Sequence, residues 1–97
     1  MSNALDSSAI EAHLKQVSGW ELSHEGKRIR KAFSVDNFLS GLELFGKIAE
    51  LAEAMQHHPD LHIENYKDVS IEIWTHTVNG LTESDFQLAA QIDALDS

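Results

Sequence analysis

The 97-residue sequence contains no cysteine, which excludes disulfides, thiolate zinc sites, iron–sulfur clusters and cysteine nucleophiles together. One proline and five glycines are too few for a fibrous or low-complexity chain, and 42% hydrophobic with 24% charged residues is ordinary globular usage. Positive charge is scarce. Seven Lys and Arg stand against sixteen Asp and Glu, a formal net charge of −9, so the chain as a whole repels phosphate backbones. Its one basic cluster, Lys27-Arg28-Ile29-Arg30-Lys31, alternates across an expected strand, and no nucleic-acid partner is expected. No apolar run is long enough to span a bilayer, and Met1-Ser2-Asn3-Ala4-Leu5-Asp6 lacks the basic and hydrophobic regions of a signal peptide. No membrane association is therefore expected, and the cytoplasm is the default location. Gly-x-Ser-x-Gly elbows and glycine-rich phosphate loops are also missing.

What remains reads as one domain over residues 1–97, without repeats or linkers. Ser8-Ala9-Ile10-Glu11 has the form of a capping box, and Ile10, Leu14 and Val17 follow at helical spacing until Gly19. Trp20-Glu21-Leu22 and the stretch Ile29 to Val35 flank Ser23-His24-Glu25-Gly26, which predicts a hairpin. Asp36 is expected to cap the longest helix, whose apolar stripe is Phe38, Leu42, Phe45, Ile48, Ala49, Ala52 and Met55. Pro59 disfavours helical backbone at His58, so this helix should end between Gln56 and His58. Leu61 to Ile63 and Val69 to Val78 alternate as a second hairpin, with Val69, Ile71 and Ile73 on one face and Ser70, Glu72, Trp74 and His76 on the other. Thr82-x-x-Asp85 opens a last helix with Phe86, Ala89, Ala90 and Ile92 inward. The expected fold is α+β, ordered α-β-β-α-β-β-α, a four-stranded antiparallel sheet with helices packed on one face. An apolar outer sheet face carrying Trp74 is expected to be covered by a ligand or a second subunit.

Four of the six histidines lie between positions 57 and 76. Imidazole, with an ordinary pKa of about 6.5, can serve as base on one ring and acid on another, so convergence of His57, His58 and His76 would suit acid–base catalysis without a cofactor. The competing reading of His57 or His58 is a cap on the helix dipole. His13, His24 and His62 receive no role. A metal site is not expected, because His57 and His58 diverge around a helix and Pro59 separates His58 from His62.

Three motifs in order, Glu53-Ala54-Met55-Gln56-His57-His58-Pro59-Asp60, Thr75-His76 and Gly80-Leu81-Thr82-Glu83-Ser84-Asp85, resemble those of the pterin-4a-carbinolamine dehydratase family. The resemblance runs over nearly the whole chain from Trp20 onward and implies the same fold. It further implies dehydration of 4a-hydroxytetrahydropterin to quinonoid dihydropterin in pterin recycling after aromatic amino-acid hydroxylation, with no metal or organic cofactor. By position, His57, His58 and His76 match the catalytic histidines; Gln56, Trp74, Thr75 and Thr77 fall on substrate-contacting segments; Glu53 and Asp85 match acidic positions that orient histidines. The chain departs from the family pattern in three places. The turn between His58 and His76 is about one residue longer, Gln56 replaces an Asn or Asp, and Trp74 replaces a smaller polar residue, which would narrow a pterin pocket or pack a dimer interface. The partners implied are a pterin substrate, a homodimer or homotetramer, and an aromatic amino-acid hydroxylase. A dimerisation or coactivator module, or a molybdopterin-related role, is the alternative on the same fold.

Overall fold

Asp6, and not Ser8, opens the first helix, α1 (Ser7–Leu14), its carboxylate accepting the Ala9 N–H at 2.9 Å. The helix stops at Leu14, so Val17 lies beyond it, and Gly19 (φ 80°) instead supplies a left-handed turn into the sheet. The computed structural model describes residues 4–95. Residues 1–3, which belong to the stretch read as lacking a signal sequence, lie outside the described residues, as do 96 and 97.

Strands β1 (Glu21–Ser23) and β2 (Arg28–Ser34) form the first hairpin, and β3 (Asp60–Glu64) and β4 (Asp68–Ile73) the second. They assemble in the order β1-β2-β4-β3, antiparallel throughout. With helices α2 (Phe38–Met55) and α3 (Glu83–Ala94), the element order is α-β-β-α-β-β-α, the α+β architecture expected. Directly paired residues share a sheet face. The pairs Ile29↔Ile73, Lys31↔Ile71 and Phe33↔Val69, continued by Leu61↔Ile71 and Ile63↔Val69, therefore define the face beneath the helices. Ile29, Ile71 and Ile73 are fully buried there against Ile48 of α2 and Leu88 and Ile92 of α3.

The opposite face corrects the expectation of an apolar outer surface. It carries Arg28, Arg30, Ala32 and Ser34 from β2, Ser70 and Glu72 from β4, and Asp60, His62 and Glu64 from β3. Exposed apolar groups are found instead on α2, where Phe38, Leu39 and Leu42 are 49%, 65% and 45% accessible. Of the expected stripe, Ile48 and Ala52 are buried and Phe45 and Met55 pack against the core, while Phe38, Leu42 and Ala49 are exposed. Gly41, Ile48 and Ala52 are the buried residues of α2, and at position 41 only glycine fits, since a Cβ there would meet Ile63 Cδ1 at 2.6 Å. The helix seats closely on β3 at its glycine, while Phe38 and Leu42 stand outward. Its cap is Asn37, which accepts the Ser40 N–H at 2.8 Å, and not Asp36. β4 also ends earlier than alternation suggests: past Ile73 the chain closes a tight loop through the Thr75↔Gly80 bridge. In α3, Leu88 is buried and Ala90 is exposed, reversing the expected use of that turn.

Lys31 stands on the inner face, where an unpaired charge would be costly. Its ammonium meets Asp93 Oδ1 of α3 at 2.8 Å, and the same carboxylate accepts the Trp20 indole N–H and the Ser18 backbone N–H, both at 2.9 Å. The cluster ties the α1–β1 connection to α3. Burial pushes the Asp93 carboxyl up, but the hydrogen bonds from Lys31, Ser18 and Trp20, with the Lys31 charge, pull it further down, so the net shift is below the usual carboxylate value. A depressed folded pKa means that the unfolded chain binds the proton more readily. The stabilisation is therefore complete above the ordinary carboxylate range and is lost as pH falls through the depressed value. Replacing Asp93 by Asn is expected to lower unfolding free energy by about 1–3 kcal/mol near neutrality, with the gap to wild type closing on acidification. Urea melts at about pH 7 and about pH 3 check this, and a gap that does not change with pH would contradict it.

Candidate active site

Three separate backbone devices deliver the histidines. The first is the end of α2, where Gln56 adopts the left-handed conformation (φ 54°, ψ 42°) and the His57 N–H returns to Ala52 O at 3.0 Å. A β-carbon makes this conformation unfavourable, and the Gln56 side-chain amide donates to Glu53 O at 2.8 Å across the same turn. The second is Pro59, which disfavours helical backbone at His58 and stands directly before β3. The third is the loop after β4. There the Thr75 N–H donates to Gly80 O at 2.9 Å, and Val78 N–H and Asn79 N–H donate to Thr75 O and His76 O, both at 3.3 Å, setting His76 at the tip side of a short hairpin.

These devices bring His57, His58 and His76 to one cavity of about 280 Å³, which Gln56, Trp74, Thr75 and Thr77 also line. That size is close to the small end of ligand sites. Each imidazole has its own surroundings. His57, 14% exposed, places Nε2 at 2.5 Å from Oδ1 of the fully buried Asp85. His58 Nε2 lies 2.5 Å from Glu53 Oε2, an outward pair with its two side chains 59% and 70% exposed. His76 stacks on Trp74 with centroids 4.1 Å apart at 29°. The ring nitrogens of His57 and His58 engage carboxylates, and both residues line the same cavity as His76.

Asp85 is built into the site by the cap of α3. Thr82 and Asp85 form the expected capping box, with the Thr82 N–H donating to Asp85 Oδ2 at 2.8 Å. The Thr75 hydroxyl donates to the same oxygen at 2.8 Å and lies 2.8 Å from the Thr82 hydroxyl. Trp74 is braced by the Arg28 guanidinium, 4.1 Å from its ring centroid, and its indole N–H reaches Asp60 Oδ2 at 3.4 Å. Arg28 is itself held by Glu72 at 2.6 Å. Thr82 and Arg28 are the residues that sequence reasoning did not place at the site. Thr82 was legible only as a helix cap, and Arg28 only as part of a basic run. His13 stacks on Phe86 away from the cavity, and His62 is exposed on the outer sheet face. Among the described residues, no group of three or more His, Asp or Glu side chains is gathered so as to hold a metal ion, and no helix is long and apolar enough to cross a membrane.

Fold and cavity together define a small α+β domain with a histidine-lined cavity. The chain belongs to the pterin 4 alpha carbinolamine dehydratase family, whose model matches residues 3–95, and that family is named for a lyase reaction. It is 40% identical over 94 residues to pterin-4-alpha-carbinolamine dehydratase 2, mitochondrial, of Arabidopsis thaliana, covering 95% of this chain. The chain spans only about half (50%) of that relative's length. A relative from Roseiflexus sp. (strain RS-1), provisionally given the same family name, is 39% identical over 98% of this chain and 99% of its own. The crystal structure of a transcriptional coactivator/pterin dehydratase from Brucella melitensis is similar with a TM-score of 0.89 at 27% identity, covering 98% of this chain and 100% of that one. A pterin dehydratase-like protein identified as a RuBisCO assembly factor in the alpha-carboxysome shares the fold, with a TM-score of 0.65 at 22% identity over 79% of this chain and 88% of its own.

Proposed function

We propose that this protein dehydrates a 4a-hydroxytetrahydropterin to the quinonoid dihydropterin and water, with imidazoles as the only proton carriers. The observation that carries the reading is the meeting of His57, His58 and His76 in one cavity. The reaction removes the proton on N5 and delivers one to the 4a-hydroxyl. The N5 electron pair closes the double bond to C4a as the C4a–O bond breaks and water leaves. His57 suits the first task. Its Nε2 faces a carboxylate and so carries the hydrogen, which leaves Nδ1 as the nitrogen that accepts a proton. The imidazolium formed would rest against Asp85, as in triads where a buried carboxylate holds a histidine. His76, accessible on its Trp74 support, serves as the proton donor, and His58, steadied by Glu53, holds the departing hydroxyl. Gln56, Trp74 and Thr77 are the proposed substrate contacts.

A second reading, a protein-interaction role on the same fold, draws on the accessible Phe38, Leu39 and Leu42 of α2. Self-association as a homodimer or homotetramer would use this face more readily than the polar outer side of the sheet. The deciding experiment follows the loss of 4a-hydroxytetrahydropterin absorbance in a coupled hydroxylase assay. A clear acceleration over the spontaneous reaction is expected. A rate equal to the spontaneous one would reject the dehydratase reading and favour interaction.

A further inference from the structure

We infer that Thr75 is a positioning residue for the proton transfer at His57, acting through Asp85, and not a substrate contact; the inference deepens the dehydratase reading and rests on it. Asp85 is 0% exposed and has three donors to satisfy. Oδ2 accepts the Thr82 N–H and the Thr75 O–H, each at 2.8 Å, and Oδ1 is left to His57. A hydroxyl has one proton. Because that of Thr75 goes to Asp85, Thr75 Oγ1 must accept the proton of the Thr82 hydroxyl, 2.8 Å away. The chain of hydrogen bonds thus has one direction, from Thr82 through Thr75 to Asp85. Two donors on Oδ2 prevent the carboxylate from turning, and a fixed Oδ1 holds His57 with hydrogen on Nε2.

Thr75 has a second attachment. Its backbone closes the loop that carries His76, donating to Gly80 O at 2.9 Å and accepting from Gly80 N at 3.4 Å. One residue therefore joins the carboxylate behind one imidazole to the loop that presents another. Replacing Thr75 by Val keeps the shape, deletes one donor to Asp85 and leaves the Thr82 hydroxyl without its acceptor. The carboxylate then keeps only the Thr82 N–H on Oδ2, its hold on His57 loosens, and the preference for a single tautomer weakens.

The test uses the full chain with Thr75→Val and Thr75→Ser. It combines steady-state kinetics with two-bond ¹H–¹⁵N correlation of the histidine rings in mildly alkaline buffer. Thr75→Val is expected to reduce kcat by about 10- to 100-fold, the usual scale for removing a group that orients a catalytic histidine, while KM moves by less than about twofold. Its His57 signals should change from the pattern of hydrogen on Nε2 to a mixture. Thr75→Ser, which restores the hydroxyl, should recover both. A raised KM with kcat unchanged would make Thr75 a substrate contact and overturn the inference, as would a Thr75→Val protein whose His57 keeps one tautomer. Wild-type protein alone provides a further check, since hydrogen on His57 Nδ1 would overturn the inference whether or not the variants fold. The ring signals need no turnover, so failure of wild type to accelerate dehydration would reject the functional reading while this readout still judged the role of Thr75.

Discussion

Substituting His57 by Ala is expected to lower kcat for dehydration by about 10²–10⁴-fold, the range associated with losing a general base, and Asp85→Asn should reproduce most of that loss with the imidazole still present. The reason is the direction of hydrogen bonds at Asp85. Both Oδ2 contacts are donors, so an Asn at 85 must keep its carbonyl oxygen there and turn its amide N–H groups toward His57. His57 Nε2 then has to accept, its hydrogen moves to Nδ1, and the nitrogen that should take the pterin proton is already occupied. Because the two residues act as one unit, the double variant should be no slower than His57→Ala within a few fold. Single-turnover rates of the three variants check this. Losses that multiply, or an Asp85→Asn enzyme with unchanged kcat, would show that the pair does not work as a unit. His57→Ala should also be less stable by about 1–3 kcal/mol, because it strands a buried carboxylate oxygen.

The largest effect on stability is expected at Ile71. This residue is 0% exposed on β4, the strand paired on both sides, and stands opposite Lys31 of β2 and Leu61 of β3. Truncation to Ala opens a cavity where the sheet meets the helices and should cost about 2–5 kcal/mol. A domain of this size has only about 5–15 kcal/mol in total, so the variant should sit close to its unfolding midpoint under mild denaturant. Urea unfolding with an unchanged m-value measures the difference. A loss below about 1 kcal/mol would mean that the layer can collapse around the gap, and that the core is softer than its burial implies. His62→Ala on the exposed outer face provides the contrast, with an expected change within about 0.5 kcal/mol.

Where local chemistry decides, the chain is easily read. Thr82-x-x-Asp85 caps a helix in the structure as its spacing predicts, and the alternation of Val69, Ile71 and Ile73 places all three inward. Reading falters where two elements compete for one contact. Along α2 the periodicity holds for Phe45, Ile48, Ala52 and Met55, yet Phe38 and Leu42 are exposed in the part of the helix that Gly41 seats against Ile63. In β4 the alternation continues through Trp74 and His76, yet the pairing stops at Ile73 because the Thr75 and Gly80 backbones satisfy one another instead. The outer sheet face reads as apolar from Trp74 and is polar because alternation puts Arg30, Ser34, His62, Glu64 and Ser70 on it, while Arg28 and Asp60 contact that one ring.

Residue type and short-range spacing by themselves determined the order of elements, the buried face of β4, the absence of thiol chemistry and the histidine-rich segment with its family motifs. Those properties depend on bonds and periods within a few residues, which any stretch of chain carries with it. Tertiary structure alone decided which carboxylate serves which imidazole. Asp85 lies 28 positions from His57, and Thr75 lies 10 from Asp85. Such pairings are set by how α3 docks against the end of α2 and the loop after β4, and the energy that drives that docking comes from apolar burial, which does not record in the sequence where the polar groups will meet.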